Sequence, residues 1–431
     1  METALSSRGR DGTIPNDGLR VWAVSRDLWD PKTNPSGYVS LGIAENSLMH
    51  EVLSKHIHDN FALPAQAFTY GNGTTGSNRL KGSFARFLTE WLEPHTEITP
   101  EHVSITNGCS TSIEHLAWSL GDPGDGFLLG QPHYGTLPRN LGYRTGCNVV
   151  PVPFHGTDPF GVEAVQNYRD AFMKARARGI KIAGLVLCNP HNPLGRCYSR
   201  AALIGLMRFC EEHKINLISD EIYALSVWTN TVDTQPPPVP FTSCLSIDPT
   251  GIIEPYRVHV IWGMSKDFGA SGIRVGAVIS QHNPAFHDSL VPVGLLSAPS
   301  SIADHIAANI LDDWIWVRRY IAENRLRLQE HYELATRWAR QHDIPYAPGA
   351  NAALFLWVYL GEVYRLRHTE RSSRDTSKDI MDALLAERVF LASGKEFGSE
   401  EPGWFRIVFS NQKQLLQMGL ERIIIAINKY P

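Results

Sequence analysis

The stretch IAGLVLCNPHNPLG, residues 182–195, joins an apolar run to two Asn-Pro steps and a glycine. Its apolar residues stand at consecutive rather than alternate positions, which indicates a strand buried on both faces in a sheet covered by helices. The Asn-Pro steps and Gly195 predict a rigid turn where that strand ends. Because α/β sheets bind ligands at the carboxyl ends of their strands, we expect a site just beyond residue 188.

Further apolar runs of this kind surround that stretch, and they are VSIT (103–106), GFLLG (126–130), NVVPVPF (148–154), INLISDEI (215–222), RVHVIWGMS (257–265) and RVGAVIS (274–280). Helical patterns lie between them, such as those of residues 80–92 and 200–213. This alternation predicts an α/β fold with a mainly parallel sheet.

The later part of the chain has a different character. Residues 312–342 are predicted to form one long helix that leads to a C-terminal part containing NAALFLWVYL (351–360) and PGWFRIVFS (402–410). Residues 231–243 are Pro-rich and predicted to be extended. Residues 365–379 are polar and charged, which favours a solvated loop or a mobile flap.

Composition bounds the function. The 431 residues include 43% hydrophobic residues, which argues against disorder. Lys and Arg number 40 against 44 Asp and Glu, so no basic excess favours nucleic-acid binding. The six cysteines form no CxxC pair, which favours free thiols in a reducing compartment. No secretory signal or membrane-spanning run is visible, so we expect a cytoplasmic enzyme.

Two motifs suggest other functions and are set aside. GNGTTG (71–76) matches the dinucleotide-binding pattern, but the segment before it contains Pro64 and is not a clean strand. The histidines at 50, 56 and 58 match no zinc-ligand spacing. We therefore expect neither a dinucleotide nor a metal.

Three charged residues lie at the ends of apolar runs. Asp220 ends one run, Lys266 follows another, and Arg274 comes eight residues later across a Gly-containing turn. A buried carboxylate is costly unless it meets a cation. Upstream, TNGCSTSIEHLAWSL (106–120) passes from a strand through Gly108 into a helix, an arrangement whose free N–H groups suit a phosphate.

Pyridoxal phosphate needs all of these features together. It requires a lysine amine for its aldehyde, an anion opposite its ring nitrogen, and cationic and backbone donors for its phosphate. The anion keeps the ring nitrogen protonated, so that the ring accepts the electrons of a substrate carbanion. The joint order of Asp220, Lys266 and Arg274 therefore predicts this cofactor.

The chain also resembles the class I/II aminotransferase family of fold type I pyridoxal-phosphate enzymes, through NPHNPLG, SDEIY, SKDFGASGIRVG and FRIVF. It is most similar to the 1-aminocyclopropane-1-carboxylate synthase-like proteins, including fungal ones, through LGIAENSL (41–48), residues 107–135 and EPGWFRIVFSN (401–411). The resemblance implies a mainly parallel seven-stranded sheet in a large domain (51–310). A smaller α/β domain would be built from residues 1–50, with an N-terminal arm, and 311–431.

The resemblance also implies roles for single residues. It places around the cofactor Lys266, Gly108, Cys109, Ser110, Tyr134, Asn192, Asp220, Tyr223, Ser265, Arg274 and Tyr70. Lys266 would attach the cofactor and later move the α-proton, and Asp220 would face the ring nitrogen. Tyr223 and Asn192 would both donate hydrogen bonds to the phenolic oxygen of the cofactor.

A second group of residues would bind the amino-acid substrate. Arg406 resembles the arginine that clamps the substrate α-carboxylate bidentately, and it is embedded in an apolar run. Glu45, Tyr134 and Asn192 would lie beside the substrate, with the ring of Tyr134 stacked on the cofactor.

Two positions depart from the family pattern. The family usually has a serine shortly before the lysine as a phosphate ligand, where this chain has Gly263. The synthases carry a tyrosine that serves the neighbouring subunit's site; aligning GSNRLK (76–81) puts Thr74 there, and Tyr70 lies four residues earlier. Either Tyr70 reaches the same place or the role is absent, which argues against cyclopropane formation.

The leading hypothesis is a carbon–sulfur lyase that acts on S-adenosylmethionine or a cysteine-type thioether conjugate, in secondary metabolism. The alternative is an aminotransferase of an aromatic or large apolar amino acid, and a third possibility is a regulatory protein that retains the fold. The resemblance implies a homodimer with shared active sites, a small amino-acid substrate, and no nucleic-acid or membrane partner.

Overall fold

A seven-stranded sheet organises the chain, whose residues 4–12, 18–368 and 376–429 are described by a computed structural model. The strands of this sheet and of two smaller sheets are β1 (Val39–Ser40), β2 (Val103–Thr106), β3 (Gly126–Gly130), β4 (Asn148–Val152), β5 (Ile182–Cys188), β6 (Asn216–Asp220), β7 (Val258–Gly263), β8 (Gly276–Ile279), β9 (Phe355–Tyr359), β10 (Val389–Phe390), β11 (Ala392–Ser393) and β12 (Trp404–Val408).

The helices cover both faces of the large sheet and surround the small ones. They are α1 (Ser7–Asp11), α2 (Gly18–Ser25), α3 (His50–Asp59), α4 (Asn78–Leu92), α5 (Cys109–Leu120), α6 (Leu137–Gly142), α7 (Ala164–Ala177), α8 (Arg200–His213), α9 (Met264–Asp267), α10 (Pro284–Gly294), α11 (Ser301–Asp312), α12 (Trp314–Gln341), α13 (Leu360–Arg367), α14 (Thr376–Ala386) and α15 (Lys413–Lys429).

The strand order of the large sheet is β2-β8-β7-β6-β5-β3-β4. Strands β4, β3, β5, β6 and β7 are parallel, whereas β8 runs antiparallel to both of its neighbours. The seven apolar runs of the sequence are these seven strands, so the predicted mainly parallel sheet is confirmed. All residues of β2, β3, β5, β7 and β8 are buried, which explains why their apolar residues are consecutive.

The carboxyl ends of three neighbouring strands meet at one edge of this sheet. Cys188 at the end of β5 pairs with Asp220 at the end of β6, and Asp220 pairs with Ile261 in β7. The short helix α9 then begins directly after β7 and carries Lys266. The sheet register therefore places the predicted carboxylate and the predicted lysine at the same edge.

Two small sheets bring the two ends of the chain together. Strand β1 pairs in parallel with β10, and β12 lies between β11 and β9 in an antiparallel sheet. Helix α15 packs so closely on β1 that a Cβ on Gly419 would lie 2.6 Å from Leu41 Cδ1. This joining of both chain ends agrees with the expected small domain, and the division at residues 50 and 310 stays a prediction.

One helical expectation is confirmed and one needs correction. The long helix predicted over 312–342 is α12, which begins at Trp314 because the side chain of Asp313 accepts from the N–H of Trp316 at 3.1 Å and caps it. The predicted loop at 365–379 is partly helical, since Arg365 lies in α13 and Thr376 begins α14. Residues 369–375, the centre of the proposed flap, lie outside the described residues.

Two further observations concern thiols and helices. All six cysteines are buried and free. Among the helices in the described ranges, none has the length and apolar composition needed to cross a membrane.

Candidate active site

A cavity of about 140 Å³ opens at the carboxyl ends of β5, β6 and β7. It is lined by nine of the residues predicted from the sequence, which are Cys109, Ser110, Tyr134, Asn192, Asp220, Tyr223, Ser265, Lys266 and Arg274. Its wall also contains residues that the sequence analysis missed, namely Ile113, Cys188, Ile222 and Ser271. These four lie within the quoted motifs, but their apolar, thiol and hydroxyl side chains gave no reason to assign them to the site.

Lys266 lies partly buried at the cavity, in the short helix that follows β7. Its Nζ donates to the backbone carbonyl of Ala44 at 2.5 Å. Burial, together with the nearby charge of Arg406, lowers the pKa of the Lys266 amine from 10.5 to about 8, while Glu45 opposes the shift. About a tenth of this amine is therefore neutral, and so nucleophilic, at pH 7.

The neighbouring Asp267 fixes the turn that carries Lys266. Its carboxyl accepts from Ser226 Oγ at 2.6 Å, Trp262 Nε1 at 2.9 Å and the N–H of Leu225 at 3.1 Å. Burial raises the pKa of Asp267 to about 6, against the effect of these donors. The sequence analysis missed this residue, although its place beside the lysine and the donors around it make it the anchor of α9.

Asp220 is a buried carboxyl with no cation within ion-pair distance in the part of the chain that the structure describes. The N–H of Ile222 donates to Asp220 Oδ1 at 3.3 Å. No Lys, Arg or His nitrogen of the described residues lies within 4 Å of the Asp220 carboxyl oxygens. Burial raises its pKa to about 7, and the more distant charge of Lys266 only partly offsets that rise. The site thus offers a place for a cation at the end of β6.

A short hydrogen-bonded chain links the cavity to β12. Asn192 Nδ2 lies 3.5 Å from Tyr223 Oη, and Arg406 Nη1 donates to Asn192 Oδ1 at 2.9 Å. Tyr223 packs edge-on against Phe355 with ring centroids 5.4 Å apart. The asparagine thereby connects the wall of the cavity with the arginine in the small sheet.

Arg406 is a buried cation with no carboxylate within ion-pair distance among the described residues. Its guanidinium carbon lies 4.5 Å from the ring centroid of Phe355 and 4.8 Å from that of Phe397. Nη2 donates to the carbonyl of Gly42 at 2.6 Å, whereas Nε is buried and has no hydrogen-bond partner in the described part of the chain. Burial lowers the pKa of Arg406. A buried guanidinium held in this way is suited to a carboxylate ligand.

The start of α5 forms an open cradle. Gly108 precedes the helix with φ of +78° and offers no side chain to cap it, so the first N–H groups remain available. A Cβ at Gly108 would lie 2.7 Å from Arg274 Cζ, so only glycine lets the guanidinium approach the helix. Arg274 Nη1 and Nη2 donate to the carbonyls of Ser271 at 2.9 Å and Asn107 at 3.2 Å. This arrangement suits a phosphate.

The structure explains the departure at Gly263. A Cβ at this position would lie 2.7 Å from Cys109 Sγ and 2.9 Å from Gly276 Cα. The backbone of Gly263 is extended, with φ of −172°, so space and not strain excludes a side chain there. The thiol of Cys109 occupies the room that the expected serine would need.

Four predicted residues do not line this cavity: Gly108 and Arg406 lie next to it, as described above, and Tyr70 and Glu45 have other surroundings. Tyr70 is fully exposed and lines a separate surface cavity of about 710 Å³, to which Thr74 also contributes. Glu45 is exposed, and its backbone carbonyl accepts from Ser410 Oγ at 2.7 Å. Its segment nonetheless meets the site, since the adjacent Ala44 carbonyl binds Lys266. The roles assigned to Tyr70 and Glu45 stay predictions.

The two motifs that were set aside have other surroundings. GNGTTG lies between a short 3₁₀ helix (Ala65–Phe68) and α4, without a preceding strand. The ring of His56 stacks on Trp316 at 3.9 Å between centroids. Across the described ranges, no group of three His, Cys, Asp or Glu side chains is arranged to hold a metal ion.

The cavity residues fit pyridoxal phosphate on three observations. Asp220 lacks a cation that a protonated ring nitrogen would supply. Lys266 offers an amine with a lowered pKa beside it. The cradle at Gly108 offers helix N–H groups and Arg274 to a phosphate. The residues present therefore match the donors that this cofactor needs.

Comparisons with known proteins agree with this geometry. The family profile of aminotransferase class I and II matches residues 37–423. A mouse protein named probable inactive 1-aminocyclopropane-1-carboxylate synthase-like protein 2 is 32% identical over 93% of this chain and 67% of its own length. The rice 1-aminocyclopropane-1-carboxylate synthase 1 is 31% identical over 98% of this chain and 87% of its own.

A fungal relative and a solved structure complete the comparison. A probable aminotransferase of Aspergillus fumigatus is 31% identical over 89% of this chain and 88% of its own length. The structure of Thermus thermophilus aspartate aminotransferase with maleate covers 99% of this chain and 100% of its own, with a TM-score of 0.76 and 20% identity. The latter likeness concerns the fold.

Proposed function

Because the chain belongs to the aminotransferase class I and II family, whose members depend on pyridoxal phosphate, we propose that it is a carbon–sulfur lyase of the 1-aminocyclopropane-1-carboxylate synthase-like branch. Its substrate is an α-amino acid with a sulfur leaving group, either a cysteine-type thioether conjugate or S-adenosylmethionine. We infer an amino-acid substrate from Arg406, whose buried guanidinium has an unpartnered Nε and no anionic partner among the described residues. The similarity to the rice synthase supports the branch.

Each part of the cavity has a task in holding the cofactor. The cradle would hold its phosphate, Asp220 its ring nitrogen, Asn192 and Tyr223 its phenolic oxygen, and Tyr134 its ring face. The cradle comprises Gly108, Cys109, Ser110, Ser265 and Arg274. When bound, pyridoxal phosphate supplies an electron sink for the negative charge that develops on the substrate α-carbon.

The protein residues then orient the substrate and move its proton. Arg406 binds the α-carboxylate through Nε and a terminal nitrogen, and Asn192 holds the guanidinium in place. The neutral amine of Lys266 removes the proton from the α-carbon. With a cysteine-type conjugate, the electron pair left on the α-carbon forms a double bond to the β-carbon as the carbon–sulfur bond breaks, and the departing thiolate takes a proton from the protonated Lys266. With S-adenosylmethionine the sulfur is on the γ-carbon, so the same electron pair would form a bond from the α- to the γ-carbon and release a neutral thioether.

An aminotransferase of an aromatic or large apolar amino acid is the second candidate. The Aspergillus relative named as a probable aminotransferase favours it, and the same Lys266 serves both reactions. A regulatory protein without activity has support from the name of the mouse relative. The presence of Lys266, Asp220 and Arg406 in one cavity region favours an enzyme.

A three-way assay tests the proposal. Purified protein is incubated with pyridoxal phosphate and with S-adenosylmethionine, a cysteine S-conjugate, or an amino acid plus 2-oxoglutarate. We expect a released thiol or thioether with one of the first two substrates, and no release with Lys266→Ala. Glutamate formation without a released sulfur compound would instead establish the aminotransferase.

A further inference from the structure

The loop before β12 is fastened to the loops that follow β3 and β4. We propose that Glu400 is a positioning residue that latches residues 397–400, the latch segment, against those loops and so holds Arg406 and Tyr134 in place for amino-acid binding. The inference rests on the proposed function, because it assigns Glu400 a task in binding the substrate of that same site.

The carboxylate of Glu400 forms the first contact, with the loop that follows β4. The N–H of Phe154 donates to its Oε1 at 2.8 Å, and the N–H of His155 donates to its Oε2 at 3.2 Å. His155 Nδ1 lies 3.1 Å from the same Oε2. His155 has φ of +50°, a left-handed conformation that turns two successive N–H groups toward one anion. The carboxylate is thus bound by backbone as well as by a side chain.

Two further contacts fasten the same segment. Gln131 Nε2 donates to the carbonyl of Gly398 at 2.7 Å, and the N–H of His133 donates to the carbonyl of Phe397 at 2.8 Å. Gly398 has φ of +65°, and a Cβ there would lie 2.9 Å from His133 Nε2. Any other residue at 398 would therefore push the segment away from the loop after β3.

The latch segment meets the site at Phe397, whose ring contacts Arg406 and whose carbonyl accepts from the N–H of His133. Phe397 is buried, supports the guanidinium of Arg406 and packs edge-on against Trp357, with ring centroids 5.5 Å apart. On the other side, His133 directly precedes Tyr134, which lines the cavity. Movement of this segment would therefore displace the carboxylate-binding arginine and the cavity tyrosine together.

The exposure of Glu400 indicates that its main effect is to position the latch segment and not to stabilise the folded chain. Its side chain keeps 31% of its accessible surface, and the side chain of His155 keeps 72%. An ion pair this open contributes little to folding. The N–H groups of Phe154 and His155 fix the position of the Glu400 carboxylate instead, since hydrogen bonds to a charged acceptor are stronger than hydrogen bonds between neutral groups. Losing them should loosen the segment more than it unfolds the chain.

The test compares Glu400→Ala and Glu400→Gln with the matched control Glu401→Ala in the full-length protein. The side chain of Glu401 is exposed, and the hydrogen bond at this residue uses only its backbone carbonyl. The probe is 2-aminoisobutyrate, which has the amine and carboxylate of a substrate but no α-proton. Its apparent Kd is measured from the cofactor absorbance, and hydrogen exchange is followed in peptides covering 131–135, 153–156 and 394–403.

We expect the Kd to rise about tenfold in Glu400→Ala, with unchanged cofactor content and melting temperature, because several bonds to one charged acceptor are lost. Glu400→Gln, which keeps one carbonyl acceptor, should recover part of the loss, and Glu401→Ala should match the unmodified protein. Exchange should quicken only in the Glu400 variants.

Unchanged Kd and unchanged exchange in Glu400→Ala would overturn the latch. A parallel loss of cofactor and melting temperature would reduce Glu400 to a structural residue and also overturn it. If the unmodified protein binds no pyridoxal phosphate, the proposed function fails by itself. Exchange measured on the cofactor-free chain then still decides whether Glu400 fastens the segment.

Discussion

At the scale of single residues, the cavity contains buried charged groups that lack the partners they need. Asp220 has no cation nearby, and Arg406 has an unpartnered Nε and no anion among the described residues. Sequence patterns could predict these side chains, because each follows or lies within an apolar run. The carbonyls of Ala44 and Gly42, which bind Lys266 and Arg406, could not be predicted, since a backbone group looks the same at every position.

The lowered pKa of Lys266 predicts how cofactor attachment depends on pH. Only the neutral amine attacks the cofactor aldehyde, and burial lowers the amine pKa from 10.5 to about 8. The attachment rate to cofactor-free protein should therefore rise as the pH passes through about 8 and then level off. Stopped-flow absorbance after mixing with pyridoxal phosphate measures this rate.

Free Nα-acetyllysine is the control for that measurement, because its amine titrates at about 10.4. Its rate should keep rising well beyond the pH at which the protein levels off. A protein rate that follows the free amino acid would show that burial does not lower the pKa of Lys266.

At the scale of elements, hydrophobic patterning predicted the large sheet because strands buried on both faces leave consecutive apolar residues. The long helix α12 was predicted with its start at 312 and begins at Trp314, where the side chain of Asp313 caps it. The end of α13 and the start of α14 were mistaken for loop because residues 365–379 are polar and charged, whereas the buried residues that mark these helices, such as Val363 and Ile380, lie outside that range.

The contact between β7 and α5 predicts coupling between Gly263 and Cys109. We expect Gly263→Ser to destabilise the protein, because a Cβ at 263 would lie 2.7 Å from the thiol. Cys109→Ala should recover part of that loss, with a coupling free energy of about 1 kcal/mol. Recovery stays incomplete, since the backbone of Gly276 also lies within 2.9 Å. Chemical denaturation measures the free energy of unfolding of both single variants and the double variant. If the two single changes in that free energy add up to the change in the double variant, residues 263 and 109 do not compete for the same space.

At the scale of the whole molecule, a group of large apolar side chains lies unusually exposed beside the surface cavity that contains Tyr70. Tyr70 is fully exposed, and Leu295 and Leu296 are 70% and 79% exposed. Exposed apolar groups of this kind mark interfaces. We therefore expect a homodimer formed through this face, with Tyr70 directed toward the partner; cytoplasmic location and a role in secondary metabolism likewise stay predictions.

Substitution at this face tests the dimer. Leu296→Glu should halve the mass measured by light scattering, because it places a charge in the apolar contact. Leu366→Glu is the matched control, since Leu366 is 72% exposed on α13, away from that cavity, and should leave the mass unchanged. A monomeric unmodified protein, or equal masses for both variants, would exclude this face as the interface.

The most direct test of the account is to identify the residue that attaches pyridoxal phosphate. Protein loaded with the cofactor is reduced with borohydride, digested, and examined by mass spectrometry. The account predicts one stable cofactor adduct on Lys266, a yellow colour before reduction, and neither in Lys266→Ala. A colourless protein that cannot be loaded, or an adduct on another lysine that persists in Lys266→Ala, would contradict it.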